Sequence, residues 1–485
     1  MTGFAATERF DVVVVGSGAG GGVVAGELAD RGRRVLLLEL GPHKTAADFT
    51  RWEAKAAHEL WWPIRFALID GGAGGAVALI AGRCVGGSTT INTKVALRAH
   101  IKDVAKWHEA SGLTGADGAP FRVSDLEPHY DRVEQRLGVR ERTDWLKSVR
   151  TVEPAFSALG SPLEPVRSYT DANCTSIGSC LQGCPTNGGK STLNTYIADA
   201  LAAGRLELRA NARVDRVVIE DGVATGVAYV DHHGTRRVDA GAVVVAAGTL
   251  NTPQLLMRSG LPESSSSRLV GRNLGFHPAR LVYGLFDEPQ DAHMVYPITA
   301  HAMSHQHDEN GGFVIEATTI QDPIGFATTI EDEDGPLWGQ PLVEALRAFR
   351  RHIGLLVMVN DDNNGSVQVD GNGQEVFTAD FTAPERERID NAFAFSREVL
   401  TAAGASSVRW TGLLTTHVQG TCRMGSDPER SVVDADGQSW DVKRLYVGDG
   451  SLVPRTLSVN PSLTIMALAD RLAGHLDADP YGYLS

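Results

Sequence analysis

Phe10 to Val15 run apolar, Gly16-Ser17-Gly18-Ala19-Gly20-Gly21 follow without a gap, and Arg34 to Glu39 close the unit. A strand, a glycine turn, a helix and a second strand in that register constrain the fold more than any other stretch of the chain. Gly16 permits the tight turn, Gly18 a close approach of backbone to a pyrophosphate, and Gly21 the packing of helix on strand. A helix that starts beside Gly18 and Ala19 points free N–H groups and the positive end of its dipole at an anion. Glu39 ends the second strand about twenty residues on, where a carboxylate accepts both hydroxyls of an adenosine ribose and repels a 2′-phosphate. The expected ligand is therefore NAD or FAD and not NADP. Glycine turns also join strands to helices for steric reasons alone; the full register, acidic residue included, favours the nucleotide.

Of 485 residues, 42% are hydrophobic and 21% charged, enough to bury a large core in two or more domains. The formal charge of -14 argues against nucleic acid or an anionic membrane as the main partner. No apolar run approaches the roughly 20 residues of a membrane span, and the nucleotide strand begins at Phe10, so a cytoplasmic enzyme is expected. Five cysteines are an odd number and too few for a disulfide framework in so long a chain, but Cys174, Cys180 and Cys184 cluster.

Further along, Trp61-Trp62 suits either a substrate entrance or core packing at a domain seam. Gly82-Arg83-Cys84-Val85-Gly86-Gly87-Ser88-Thr89-Thr90-Ile91-Asn92 has the glycines, hydroxyls and amide of a backbone passing close to a ligand. Residues 98–165 read as helices with long loops, with a helix over Asp125 to Leu137. Leu206 to Ala247 read as a β-meander, and strands are expected over Gly354 to Asn360 and Gly365 to Val369. Asn460-Pro461 opens a C-terminal helix with asparagine as its cap. His301, His305 and His307 lack the cysteines or the helical spacing of a metal site.

The stretch 82–92 resembles the first signature of the glucose-methanol-choline (GMC) family of flavin-dependent alcohol oxidoreductases. Gly241 to Leu255 resembles its second signature, Val270 to His277 the segment that follows, and Thr415 to Gly425 the stretch that carries its active-site histidine. The resemblance implies an α/β fold: a Rossmann-like FAD-binding domain over 8–97, 166–276 and 410–485, and a discontinuous α+β substrate domain on an antiparallel sheet over 98–165 and 277–409. It implies FAD contacts from Gly16, Gly18, Ala19, Gly21, Glu39, Gly82, Arg83, Gly87, Ser88, Asn92, Val214, Gly248, Asp449, Gly450 and Pro461. His417 is the implied base, with His277 the other histidine in a family-like segment, and Asn460 is the second catalytic position. Ile91 stands where members with covalent flavin have histidine, so non-covalent FAD is expected.

Within the family, the nearest branch is the long-chain (fatty) alcohol oxidases and dehydrogenases, which implies an apolar alcohol substrate and oxygen or another electron acceptor. The spacing of Cys174, Cys180 and Cys184 is also similar to a cluster-binding insert of iron-sulfur sugar dehydrogenases, which leaves open a metal site on these three and a sugar or glycoside substrate, whereas in the alcohol oxidase branch the same cysteines are structural thiols in a loop. A flavin-binding structural or sensing module is the non-enzymatic alternative.

Overall fold

The computed structural model describes residues 8–294, 296–317 and 322–484. Two sheets organise them. The first has the order Leu206–Arg209, Val35–Leu38, Arg9–Val15, Gly234–Val245, Val223–Asp231, Arg213–Glu220, with Leu445–Val447 added beside Gly234–Val245. Its first four strands and Leu445–Val447 are parallel, whereas the last three strands of the path form an antiparallel meander; the meander expected over Leu206 to Ala247 thus begins only at Arg213, and Leu206–Arg209 is instead a parallel edge strand beside Val35–Leu38. Val12 to Val15 and Val35 to Leu38 are buried throughout, because helices and loops cover both faces of a parallel sheet and an alternating pattern has no use there.

Helix Ala19–Asp30 follows the glycine turn and packs against the C-terminal helix Ser462–Ala478. Four glycines in its first eight residues let the helix pack close to the sheet ends and to the segment around Thr192 and Tyr196: a Cβ at Gly20 would stand 1.7 Å from the Gly448 carbonyl oxygen and one at Gly22 2.5 Å from Thr192 Cβ. Gly16 itself has φ +96°, and a Cβ there would stand 2.2 Å from the Ala246 carbonyl oxygen, so the turn tolerates no other residue. The chain thus ends on the helix layer with which it began.

The second sheet is mixed and mostly antiparallel, 14-stranded among the described residues. At its centre Ala279–Leu285, His352–Val359 and Phe313–Ala317 pair antiparallel in that order. Strands Arg65–Leu68 and Ala76–Leu79 join it through Leu414–Thr415, and so connect the N-terminal third of the chain to this sheet. Helix Ala383–Ala402 covers one face, capped by a reciprocal Thr382–Glu385 box. The helix expected over Asp125 to Leu137 spans Glu127–Leu137, and the later expected strands span His352–Val359 and Ser366–Val369. No helix among the described residues is long and apolar enough to cross a membrane.

Asn460 does not cap the C-terminal helix as its position suggests. The N-cap is Pro461, no side chain caps it, and Asn460 Oδ1 is buried without a hydrogen-bond partner. The amide is turned away from the helix backbone and lines the cavity between the two sheets.

Candidate active site

That cavity measures about 1190 Å³ and runs from the glycine turn to the second sheet. Gly16, Ser17, Gly18, Ala19 and Glu39 line it together with Gly82, Gly87, Ser88, Ile91, Asn92, Val214, Gly248, Asp449 and Gly450, and on the side of the second sheet, next to strand Ala279–Leu285, it is lined by His277, His417, Asn460 and Pro461. The sequence segments that carry the resemblance, far apart in the chain, are thus brought to one wall. Arg83 and Gly21 are not on it. Arg83 lies over the Trp62 ring at 5.8 Å, and Gly21 packs against the Gly16 carbonyl, where a Cβ would come within 1.9 Å.

Whether the trough suits a flavin dinucleotide is decided by what a side chain would meet there. At Gly18 the nearest atom to an added Cβ is Gly87 Cα, 4.0 Å away, so the missing side chain leaves room for a ligand and not for protein. No side chain caps the helix that starts at Ala19. Its positive end and open N–H groups therefore face the trough, the arrangement that holds a pyrophosphate. The loop at 82–88 is closed on itself by Ser88 Oγ, which accepts from Gly82 N–H at 3.0 Å, and is held over the turn by Ser17 Oγ, which accepts from Gly86 N–H at 2.9 Å.

Two buried carboxylates anchor the trough. Glu39 Oε2 accepts from the Ser17 N–H at 3.1 Å and from the Ser17 hydroxyl at 2.6 Å, and Oε1 accepts from Gly41 N–H at 2.7 Å. Burial pushes its pKa up against these donors, and Oε1 keeps a lone pair for a ribose hydroxyl. Asp449 is more fully engaged. Oδ2 accepts from Gly248 N–H at 2.8 Å and Thr252 Oγ1 at 2.5 Å, and Oδ1 from Ser451 N–H at 2.9 Å and Ser451 Oγ at 2.5 Å. Its side chain ties the 248–252 turn to its own 449–451 segment, leaving the neighbouring Gly450 on the cavity.

At the far end His277 and His417 meet Nδ1 to Nδ1 at 2.9 Å, and His277 Nε2 stands 2.6 Å from the Leu457 carbonyl oxygen. A carbonyl only accepts, so His277 carries its proton on Nε2. Burial lowers the pKa of both rings, that of His417 well below its ordinary value with help from His277. Neutral His277 therefore accepts at Nδ1, His417 donates from Nδ1, and His417 Nε2 is left as a bare acceptor for whatever enters the cavity.

Trp61 and Trp62 both line the cavity. Trp61 Nε1–H donates to the Leu181 carbonyl at 3.1 Å, and Arg65 lies over the Trp62 ring at 4.7 Å. Glu316 is a buried carboxyl on the cavity that sequence reasoning missed. It sits in a stretch with no motif, and the strand Phe313–Ala317 reads as a core strand with one misplaced charge.

The metal-site reading of the clustered cysteines finds no support. No three His, Cys, Asp or Glu side chains among the described residues come together to hold a metal ion. Cys174 accepts from Arg142 Nη1 at 3.6 Å, Cys184 from the Gly189 N–H at 3.2 Å, and burial pushes the Cys180 thiol up to about 12. The sulfurs serve as local hydrogen-bond acceptors and a buried thiol. His305 stacks on Phe313 and His307 lies against His100, so the histidine run is not gathered either.

Comparison with known proteins agrees with the geometry. The sequence patterns described as GMC oxidoreductase match residues 10–279 and 361–469. An uncharacterised GMC-type oxidoreductase of Mycobacterium tuberculosis is 32% identical over 98% of this chain and 77% of its own length. A long-chain-alcohol oxidase of Arabidopsis thaliana is 28% identical over 95% of this chain, which spans 66% of the plant protein. Among solved structures, pyridoxine 4-oxidase from Mesorbium loti superimposes with a TM-score of 0.73 at 21% identity, covering 96% of this chain and 99% of that one, which speaks for the fold.

Proposed function

The chain belongs to the GMC oxidoreductase family of FAD-dependent enzymes that oxidise alcohols, and on that premise we propose that His417 removes the hydroxyl proton of an alcohol whose apolar body lies along the second sheet. The observation that carries this reading is the hydrogen-bond relay from Leu457 through His277, which leaves His417 Nε2 bare on the cavity wall. A general base must be unprotonated when substrate arrives, and burial keeps this imidazole so. Bound FAD supplies the acceptor for the hydride that leaves the carbinol carbon.

The chain's own residues do the rest. His417 Nε2 accepts the hydroxyl proton, His277 fixes the tautomer, and the Asn460 amide steadies the carbinol oxygen as charge develops on it. Gly18, Ala19, Glu39, Gly87, Ser88, Gly248 and Gly450 hold the cofactor without a covalent bond, since Ile91 offers no nucleophile. Ala279, Leu281, Ile298, Leu356 and Met358 line the substrate end and keep water away from the proton transfer. That apolar wall supports an aliphatic alcohol over a sugar, which would need polar partners along its length.

The test is anaerobic mixing of the purified yellow protein with a panel of alcohols, followed by admission of air. Bleaching of the flavin band by aliphatic alcohols supports the reading, and the speed of recovery in air separates oxidase from dehydrogenase. A flavin that no alcohol bleaches would leave a nucleotide-binding module in its place.

A further inference from the structure

The three central strands of the second sheet turn Ala279, Leu281, Leu356, Met358 and Glu316 toward the cavity. Four of these are what an apolar substrate wall requires. Glu316 is not: it is only 1% exposed, and neither carboxylate oxygen has a hydrogen-bond partner among the described residues. An unpaired buried carboxyl destabilises a fold, and a leucine in register opposite Leu356 would pack as well. The adjacent Asn460 amide favours the charged form of Glu316 without making a well-formed hydrogen bond to it, and Asn460 Oδ1 is itself unpartnered. Two unsatisfied polar side chains from remote segments thus line the space that His417 also lines.

Counting protons identifies what completes them. The hydroxyl of a simple alcohol has one proton, and His417 Nε2 takes it. A carboxylate only accepts, so Glu316 has no partner on a plain alkanol. We propose that Glu316 reads the substrate: it accepts a hydrogen bond from a second donor, a hydroxyl or an amine, carried within a few bonds of the carbinol carbon, while the apolar wall takes the remaining chain. This inference rests on the assignment of His417 and Asn460 to the carbinol. Burial raises the Glu316 pKa to about 7, so the two donor types respond differently to pH. An ammonium gains most from the carboxylate, whereas a hydroxyl also finds an acceptor on the protonated acid.

The experiment compares 1-hexanol, 1,2-hexanediol and 2-amino-1-hexanol as reductants of the FAD-loaded enzyme without oxygen, in wild type, Glu316→Gln and Glu316→Leu. Flavin content and melting temperature check that each variant is folded, and Glu316→Gln carries the test if the leucine variant fails. Wild type is expected to favour the diol or the amino alcohol over 1-hexanol by at least about tenfold in kcat/KM, the effect of one hydrogen bond to a buried charged group. Glu316→Leu should bring that ratio toward one. A preference for the amino alcohol should fade below about pH 7 and vanish in Glu316→Gln, while a preference for the diol should persist across pH and survive partly in Glu316→Gln. Binding of the non-oxidisable pair 2-methyl-2-butanol and 2,3-dimethyl-2,3-butanediol, read from the flavin spectrum, should show the same ratio without turnover. A ratio within twofold of wild type in Glu316→Leu, or no preference in wild type, overturns the inference. So does a more than hundredfold loss of 1-hexanol oxidation in Glu316→Gln, which would make Glu316 the base. Failure of all three alcohols to bleach wild-type flavin would instead remove the functional reading beneath it.

Discussion

His277 and His417 face each other Nδ1 to Nδ1 across 2.9 Å, with the rings nearly perpendicular at 88°. One proton lies between these two nitrogens, and the Leu457 carbonyl decides which of them carries it. If Leu457 fixes His277, and His277 fixes His417, then the reactivity of His417 is set by a backbone carbonyl two residues removed from it through hydrogen bonds.

His277→Ala should therefore slow flavin reduction without emptying the FAD site. Freed of its partner, His417 samples the tautomer with its proton on Nε2, which cannot accept. A wrong tautomer at a general base costs up to about 10⁴ in rate, and a loss of at least about tenfold is expected here because the bare tautomer remains accessible. The informative readout is the pH profile. Loss of the His277 contribution moves the pKa of His417 upward, so an acidic limb should move to higher pH in the variant. A rate within twofold of wild type with an unmoved profile would reduce His277 to core packing.

For wild type, the sign of the His417 shift gives a second expectation. Its pKa is held well below the ordinary value, chiefly by burial. The base is active when unprotonated, so activity is lost only as pH falls through that lowered pKa, and no limb should appear near pH 6.5. His417→Ala should keep FAD and lose about 10² to 10⁴ in the rate of flavin reduction. A stopped-flow pH series with one good alcohol checks both, and a clear limb at pH 6 to 7 assigned to His417 by the variant would contradict the buried, neutral imidazole.

The nucleotide half of this molecule was legible because its chemistry is written in backbone and glycine. Gly16, Gly18 and Glu39 must occur at fixed spacing for the turn to close and the ribose end to be reached, and the structure places them together. The substrate half was not. Glu316 is separated from its cavity neighbours Leu356 and Ala279 by dozens of residues and meets them only through strand register. Its apolar neighbours mark a core strand, but nothing local says that the charge faces a cavity. Asn460 misled for the opposite reason: an Asn-Pro pair before an apolar helix has the local form of a cap, yet the amide goes to the cavity. Cysteine spacing did not separate a metal site from structural thiols, because it does not say which hydrogen bonds each sulfur makes.

Gly18 and Gly20 separate the two uses of glycine in one turn. A side chain at Gly18 meets no protein atom closer than 4.0 Å, whereas one at Gly20 would collide with the Gly448 carbonyl. Gly18→Val should fold with a melting temperature near that of the wild-type apoprotein but purify pale, with weakened FAD binding. Gly20→Ala should lose stability before it loses affinity, in the range of about 1 to 3 kcal/mol for overpacking a core. Flavin absorbance against protein absorbance, with thermal melts on both apoproteins, checks the contrast. A fully yellow Gly18→Val would show that the space above this residue is not where the cofactor lies.

Asp361 makes stability fall with rising pH. Its side chain is 6% exposed, Oδ2 accepts from the Phe276 N–H at 2.8 Å, and Oδ1 has no partner. Burial raises its pKa from 3.8 to about 8, and Glu316 is raised in the same way from 4.5 to about 7. Each group binds its proton more tightly in the folded chain, so its contribution is fully present below its unfolded pKa and is lost as pH rises through the folded one. The window for Asp361 runs from about pH 4 to pH 8, and at about 1.4 kcal/mol per pKa unit the loss is on the order of 5 kcal/mol. Carboxylates with lowered values, such as Asp470 beside His129 and Arg132, act in the opposite sense at lower pH, where they lose their contribution as pH falls. Histidines buried in the neutral form, His301 and His352 among them, also gain as pH rises toward 6.5, so the Asp361 contribution is read as the difference between wild type and variant. Asp361→Asn keeps an acceptor for Phe276 and removes the charge. It should match wild type near pH 4 and melt at a higher temperature than wild type at pH 8, with Glu316→Gln showing a smaller gap in the same direction. Melting curves of the FAD-loaded proteins across this range decide the matter: a gap that stays constant or narrows toward pH 8 would mean that Asp361 is ionised in the folded protein throughout, and that a charge-stabilising partner faces Oδ1.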